Sequence, residues 1–193
     1  MRAHCVERSV AKRHAPATIS DLKSFKKKSD GIQVVVETPK GSRNKYAFDP
    51  EQRVFALKKV LPAGMAFPYD FGFVPSTLAD DGDPVDVLVL MDEPAFAGCL
   101  LQCRLIGVID GEQTDGKKKT RNDRLVAIEE DNHSYSAIHH IDDLGKAFVR
   151  ELEEFFVNYH ELTGKRFKIL DVRGPKEARR RVEAGRRQAR KQA

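Results

Sequence analysis

The stretch Asp80-Asp81-Gly82-Asp83-Pro84-Val85-Asp86-Val87-Leu88-Val89-Leu90 joins an acidic turn to an apolar run. Four carboxylates fall within seven residues, and β-branched side chains follow at once. Gly82 and Pro84 are typical of a turn, and Val85–Leu90 is predicted as a buried strand. Because side chains alternate along a strand, Asp86 is expected on the same face as the two leucines.

Carboxylates this close repel one another, and burying one is unfavourable unless a positive charge compensates it. A hard divalent cation with oxygen ligands is the simplest compensation. An acidic turn left in water is the alternative, and the apolar strand that follows argues against it. A calcium loop of the helix-loop-helix type needs Gly at its sixth position and Glu at its twelfth. Counted from Asp81, these positions hold Asp86 and Asp92, so that motif is excluded.

The 193 residues are enough for one core with tails. We expect a basic flexible extension over 1–30, one domain over 31–173, and a basic C-terminal helix or tail over 174–193. The first segment holds eight Lys and Arg against three Asp and Glu, and the last holds eight against two. Basic ends attract polyanions, but they are more often simply solvated, so we expect no nucleic-acid partner.

No apolar run approaches the roughly 20 residues that span a bilayer, so we expect no membrane partner. Three cysteines without a pairing pattern indicate a reducing compartment. A cytoplasmic location is therefore expected. The alternative is an organellar presequence within residues 1–30, which hold several Arg and Ser and few acids.

Short strands separated by turns predict a small barrel. The strands are predicted at Ile32–Glu37, Lys45–Pro50, Arg53–Leu57, Val85–Leu90, Cys99–Ile109, Arg124–Ile128 and Arg166–Val172. Apolar residues at steps of three and four predict a helix over Leu144–Tyr159. A second, basic helix after Pro175 is only weakly amphipathic and is expected to pack loosely.

Two connections carry further expectations. Leu61–Pro75 is rich in Pro, Gly and aromatic residues, and it is predicted as an ordered loop. It lines the pocket in one interpretation and packs over the strands in the other. Asp110–Asp123 is polar, contains two Gly and three consecutive Lys, and is predicted as an exposed hairpin loop.

The run from Asp81 to Val89 resembles the signature of the soluble family I inorganic pyrophosphatases. The shared features are three Asp, one Gly and one Pro at fixed spacing before an apolar strand. The order of predicted elements from Ile32 to Val172 is also similar to that family's fold. The resemblance implies an α+β, mainly β fold with a five-stranded, OB-like closed β-barrel and flanking α-helices. It further implies Mg²⁺-dependent hydrolysis of inorganic pyrophosphate to two phosphates by a metal-activated water. We expect a homo-oligomer.

Matched to the family position by position, Asp83 corresponds to the proposed general base. The resemblance implies metal ligands at Glu37, Asp81 and Asp86. It implies groups that bind substrate phosphate at Lys45, Lys59, Arg124 and Tyr159. The candidates for the remaining metal ligands lie in the longer loop that follows, at Glu112, Asn122 and Asp123.

Other positions depart from the family pattern. Ala47 stands where the family usually has a second Glu, and Lys59 stands where it has an Arg. Phe67 and Phe71 replace two tyrosines, and His160 replaces a lysine. The residues that hold phosphate are thus altered more than those that hold metal. Two alternatives therefore stay open: hydrolysis of another phosphoanhydride, and a catalytically weakened paralogue that binds polyanions.

Overall fold

The computed structural model describes residues 19, 22–26, 30–162 and 164–192. Over these residues the chain is mainly β with two α-helices, as the sequence predicts. The strands are β1 (Ile32–Thr38), β2 (Asn44–Asp49), β3 (Val54–Val60), β4 (Asp70–Val74), β5 (Val85–Leu90), β6 (Leu100–Asp115), β7 (Lys118–Arg121), β8 (Arg124–Glu129) and β9 (Arg166–Arg173). The helices are α1 (Gly145–Glu161), preceded by a 3-10 turn at Ile141–Leu144, and α2 (Pro175–Gln192).

Five strands pair in a closed order. β1 pairs with β4, β4 with β5, β5 with β8, β8 with β6, and β6 with β1 again. The β5–β8 pair is parallel and the other four pairs are antiparallel. β7 and β9 pair with the long strand β6, whereas β2 and β3 form a separate hairpin.

Alternate residues of β5 enter two hydrophobic clusters. Its valines pack in one cluster together with Val182 of α2. Its leucines pack in the other together with Leu152 and Phe156 of α1. Each fully buried aliphatic or aromatic side chain contributes about 1.5 to 3 kcal/mol relative to exposure. Both helices are therefore fixed to the sheet by burial on opposite faces of the same strand.

The expectation of one long loop over Leu61–Pro75 is wrong in its second half. Asp70–Val74 forms β4 between β1 and β5, and Phe71 on this strand is buried. Gly72 suggested a loop but is required by the pairing. A Cβ at Gly72 would lie 2.1 Å from the carbonyl oxygen of Val35 on the neighbouring strand. Close approach of two backbones selects glycine within a strand here.

Two further expectations need correction. The exposed loop expected at Asp110–Asp123 is largely strand, because β6 continues to Asp115 and turns at Gly116 into β7. The loose C-terminal helix is packed, since Ala178 and Val182 are fully buried. A narrow apolar stripe on a highly charged helix gives a weak sequence signal even when it packs completely.

Most of the predicted extension over 1–30 lies outside the described residues. Within the described part, Ser24 donates from Oγ to the carbonyl oxygen of Pro75 at 2.6 Å. Phe25 forms an isolated β-bridge with Ile32. The predicted boundaries at residues 30 and 173 stay predictions. Neither helix of the described part combines the length and apolar content needed to cross a membrane.

Asp70 links two loops to β4 and provides a test of this fold. It is 1% exposed and accepts backbone N–H groups from Lys40 at 2.6 Å and Ala95 at 2.7 Å, one on each carboxylate oxygen. Asp70→Asn keeps the shape but turns one acceptor into a donor that faces an N–H. We expect the free energy of unfolding to fall by about 2 to 3 kcal/mol, measured by urea denaturation.

The matched control is Asp131→Asn, at an exposed position. It should remain within about 0.5 kcal/mol of the wild type. Equal stability of the two variants would contradict a structural role for the Asp70 carboxylate.

Candidate functional site

The acidic turn before β5 is held by its own backbone. Ala79 donates its N–H to the carbonyl oxygen of Asp83 at 2.8 Å, and Asp83 donates to Asp81 Oδ1 at 3.2 Å. Gly82 has φ of 95°, a left-handed conformation that glycine adopts without strain. The N–H of Val85 is bound by the Thr77 hydroxyl at 3.0 Å. These hydrogen bonds therefore fix the backbone that carries Asp81 and Asp83.

Parallel pairing brings Asp86 next to Arg124. β5 and β8 pair from Val87 opposite Leu125, so the residues just before this pair lie side by side. Arg124 Nη1 is 2.6 Å from Asp86 Oδ2. Burial raises the pKa of Asp86, and the charges of Arg124 and Lys45 oppose that shift. A buried ion pair thus joins the acidic strand to the next strand of the sheet.

Glu37 faces the same space from the end of β1. It is 9% exposed, and its Oε1 accepts the backbone N–H of Phe48 at 2.8 Å. Burial, together with the charges of Asp86 and Asp83, raises the pKa of Glu37 to about 7. The Phe48 N–H and Lys45 oppose this shift without cancelling it. Glu37, Asp81, Asp83 and Asp86 form what we term the carboxylate wall. Burial is the main cause that raises the pKa values of Glu37, Asp81 and Asp86.

Lys45 and Lys59 are direct partners across the β2–β3 hairpin. Their Nζ atoms lie 5.5 and 5.4 Å from the centre of the Tyr159 ring on α1. A π face attracts cations, so Tyr159 offsets part of the repulsion between these neighbouring charges. Arg124 is held similarly over Phe156, at 5.5 Å from the ring centre. Lys45, Lys59 and Arg124 form what we term the cationic wall.

The two walls enclose a cavity of about 820 Å³. Nine of the eleven predicted site residues line it: Glu37, Lys45, Lys59, Asp81, Asp83, Asp86, Asn122, Arg124 and Tyr159. Because these residues come from five strands, one helix and two connections, a chance grouping of charges is a poor explanation. The arrangement suits a small polyanion together with cations.

Two predicted metal ligands, Glu112 and Asp123, do not line this cavity. Glu112 instead pairs with Lys119 at 2.8 Å on the β6–β7 hairpin. Its neighbour Gln113 lines the cavity and accepts a hydrogen bond from Asn122 Nδ2 at 3.0 Å. Adjacent strand residues face opposite sides, so Gln113 lines the cavity and Glu112 does not. Asp123 is bound by Arg121 Nε at 2.6 Å and lies in a neighbouring cleft.

Gln113 and Lys165 also line the cavity and were not singled out from the sequence, and His160, noted there only as a replacement for a lysine, lines it too. Strand alternation along β6 points to Gln113 once the true extent of that strand is known. Lys165 lies between α1 and β9 and has no local signal. His160 is 3% exposed, and its ring stacks on Phe167 with centroids 4.5 Å apart. His160 therefore contributes an aromatic side chain to the lining of the cavity.

The donor set fits a hard divalent cation in part. Carboxylate and amide oxygens are the ligands that Mg²⁺ prefers, and Mg²⁺ usually combines one or two carboxylates with water and phosphate oxygens. Among the described residues, no three His, Cys, Asp or Glu side chains converge closely enough to hold a metal by themselves. A cation at the carboxylate wall would therefore need oxygens from water or substrate in addition.

Comparisons with known proteins agree on one family. The sequence profile described as inorganic pyrophosphatase matches residues 34–190. The match includes α2, so the similarity extends beyond the Ile32–Val172 range that the sequence suggested. The inorganic pyrophosphatase of Synechocystis is 42% identical over 139 residues, covering 72% of this chain and 80% of that protein. The enzyme of Geobacillus stearothermophilus is 35% identical over 150 residues, covering 76% and 87%.

Solved structures give the same result. The inorganic pyrophosphatase of Thermus thermophilus superposes with a TM-score of 0.82 at 32% identity. The superposition covers 90% of this chain and 99% of that one. The Helicobacter pylori enzyme gives a TM-score of 0.77 at 32% identity, covering 83% and 94%.

His160 predicts how stability depends on pH. Burial, together with the charges of Arg124 and Lys45, lowers its pKa to about 4 from the ordinary 6.5, although its bond to the Phe156 carbonyl opposes this. The unfolded state then binds more protons between pH 6.5 and 4, so stability falls as pH falls through that window. His160→Gln should remove up to about 2 kcal/mol of the stability difference between pH 7 and pH 5.

The measurement is urea denaturation at both pH values. His133→Gln, at an exposed position, is the matched control for loss of a histidine. An unchanged pH dependence in His160→Gln would show that His160 does not titrate abnormally.

Proposed function

The chain belongs to the inorganic pyrophosphatase family, and we propose that its cavity hydrolyses pyrophosphate to two phosphates. The observation that carries this function is that the four carboxylates of the carboxylate wall and the three cationic side chains of the cationic wall line one cavity of about 820 Å³. Pyrophosphate is a compact polyanion, so its binding requires fixed cations. Its hydrolysis also requires a group that takes a proton from the attacking water.

The cationic wall binds the phosphate oxygens. Lys45 and Lys59 act as point charges side by side, already ordered over Tyr159. Arg124 is 5% exposed and is held by Asp86 and by the carbonyl oxygen of Asp123 at 3.0 Å. Because this guanidinium is already fixed, it loses little conformational entropy when it binds an anion, and this favours binding.

Asp83 is the proposed general base. It lies in the exposed part of the acidic turn, and its backbone is fixed at both the N–H and the carbonyl oxygen. Its side chain lines the same cavity as the lysines that would hold substrate. Asp83 would accept the proton of the attacking water as the water oxygen bonds to one phosphorus and the bond from that phosphorus to the bridging oxygen breaks, which releases the other phosphate.

Magnesium is the cation that we propose for the carboxylate wall. Asp81, Asp86 and Glu37 supply anionic oxygens, and Asn122 supplies a neutral one. When bound, the ion neutralises the substrate charge and lowers the pKa of a bound water. Arg124 competes for Asp86, so binding of a cation there has to displace or share the 2.6 Å ion pair.

The phosphate-binding side differs from the family in ways that bear on substrate choice. Phe67 and Phe71 are buried, at 3% and 2% exposure, and pack against one another with centroids 5.6 Å apart. They serve as core residues and offer no hydroxyl to a substrate. Hydrolysis of a different phosphoanhydride is the second candidate. Without these hydroxyl groups, the cavity recognises phosphate more by charge than by directed hydrogen bonds.

Three less direct proposals complete the function. The closed order of five strands is proposed to be an OB-like barrel. A homo-oligomer is proposed because large apolar side chains are exposed, among them Phe96 at 71% and Leu57 at 55%. A cytoplasmic location is proposed from cysteine usage.

Asp83→Asn tests the function directly. The amide keeps the size of the side chain but is a poor proton acceptor, so phosphate release from pyrophosphate should fall roughly 10²- to 10⁴-fold. Release is measured colorimetrically with Mg²⁺ in excess. Asp80→Asn is the matched control, because Asp80 is exposed in the same turn and does not line the cavity.

Equal rates in Asp83→Asn and the wild type would remove Asp83 from the reaction. The same assay with nucleoside triphosphates and longer polyphosphates tests the substrate. Faster release from one of these than from pyrophosphate would favour the second candidate.

A further inference from the structure

A buried carboxylate on β6 gathers arginines from three elements. Asp110 is 1% exposed. Its oxygens lie 2.8 Å from Arg121 Nη2 on β7, 3.0 Å from Arg173 Nε on β9 and 3.1 Å from Arg181 Nη2 on α2. One carboxylate among three guanidinium groups leaves a net positive charge. A second carboxylate neutralises part of that charge.

That second carboxylate is Asp123. Arg181 Nε lies 3.0 Å from Asp123 Oδ2, while Oδ1 accepts from Arg121 Nε at 2.6 Å and from the Gly111 N–H at 3.0 Å. Arg181 therefore bridges Asp110 and Asp123. Asp123 stands in the chain between Asn122 and Arg124, which both line the cavity. Fixing Asp123 from behind fixes the direction of the two side chains that flank it.

The same helix reaches the base of the acidic turn. The N–H of Leu78 donates to the Gly185 carbonyl oxygen at 3.0 Å. A Cβ at Gly185 would lie 2.7 Å from Val85 Cγ2 and 3.2 Å from the Leu78 carbonyl oxygen. Glycine inside a helix is normally unfavourable, so a close approach of backbones explains it here. Helix α2 thus contacts Asp123, next to Arg124 of the cationic wall, and the base of the acidic turn that carries Asp81 and Asp83.

We propose that α2 positions both walls of the cavity, with Arg181 as a positioning residue that acts through Asp123 on Asn122 and Arg124. The inference rests on the proposed function for its kinetic consequence. Arg181 is not needed to neutralise buried charge: without it, Asp110 keeps Arg121 and Arg173, and Asp123 keeps Arg121 and the Gly111 N–H. Its distinctive contribution is the link between α2 and the 122–124 segment.

Arg181→Gln tests this link in the full chain. A displaced Arg124 holds phosphate less well, so KM for pyrophosphate should rise and kcat/KM should fall roughly 10- to 100-fold. KM should change more than kcat. Arg180→Gln is the matched control, because Arg180 is adjacent on α2, is 64% exposed in its side chain and pairs with Glu177 at 3.2 Å. Arg181→Lys, which restores a charge without a bridging fork, should recover only part of the loss.

Hydrogen exchange gives a readout that does not depend on activity. The N–H of Asn122 is bonded to the Gly111 carbonyl oxygen at 2.9 Å and should be protected in the wild type. Arg181→Gln should raise exchange at residues 121–124 at least about tenfold, while β1 keeps its protection. Gly185→Ala should raise exchange at residues 78–82 instead, because the added methyl group separates α2 from the turn.

The outcomes separate the two proposals. Unchanged exchange at residues 121–124 in Arg181→Gln, or a KM equal to that of Arg180→Gln, would overturn the positioning role. A lower Tm with unchanged KM and unchanged local exchange would show a structural role alone and would overturn it too. Failure of the wild type to release phosphate from pyrophosphate would overturn the proposed function, whereas exchange would still decide whether α2 positions these segments.

Discussion

Strand β6 shares its backbone hydrogen bonds with four other strands, and the rest of the structure depends on that sharing. Its first part pairs with β1 and β8, and its last part pairs with β7 and β9. A strand has only two edges, so β6 has to change partners along its length and bend as it does so. Register shifts occur next to Gly107 and Gly111. A Cβ added at Gly107 would lie 2.8 Å from the carbonyl oxygen of Arg173, and one added at Gly111 would lie 2.7 Å from the carbonyl oxygen of Asn122. Both positions therefore require glycine.

The bend of β6 sets the electrostatics of the site. It carries Asp110 into contact with arginines on one side, and it aims Gln113 at the cavity on the other. Negative charge is thereby divided into two regions. Asp110 and Asp123 are compensated by arginines, while burial, together with the charges of Asp86 and Asp83, raises the pKa of Glu37 on the carboxylate wall. Carboxylates beside fixed cations in one cavity are what a substrate bound together with metal would require.

The sequence predicted those parts of the molecule whose signals are local. The acidic turn, the strand after it and the amphipathic helix α1 each follow from spacing within a short window, and nine of eleven expected site residues share one cavity. The errors arise where distant segments decide. β4 was missed because Gly72 is needed only opposite Val35, and Gln113 was not considered because the length of β6 was unknown. The packing of α2 depends on Gly185, whose partners Thr77, Leu78 and Val85 lie on either side of the acidic turn.

The pairing of β1 with β6 closes the ring of five strands and places Ile32 opposite Cys103. Of the other three strands in the ring, β4 and β5 lie between β1 and β6 in the chain, and β8 follows β6. Contacts between residues so far apart along the chain carry a large loop-closure entropy, and folding rates fall as such contacts dominate. Until that pairing forms, the edges of β1 and β6 expose unbonded N–H and carbonyl groups that can pair with another copy. During refolding, closure within one chain competes with association between chains, so the yield falls as protein concentration rises.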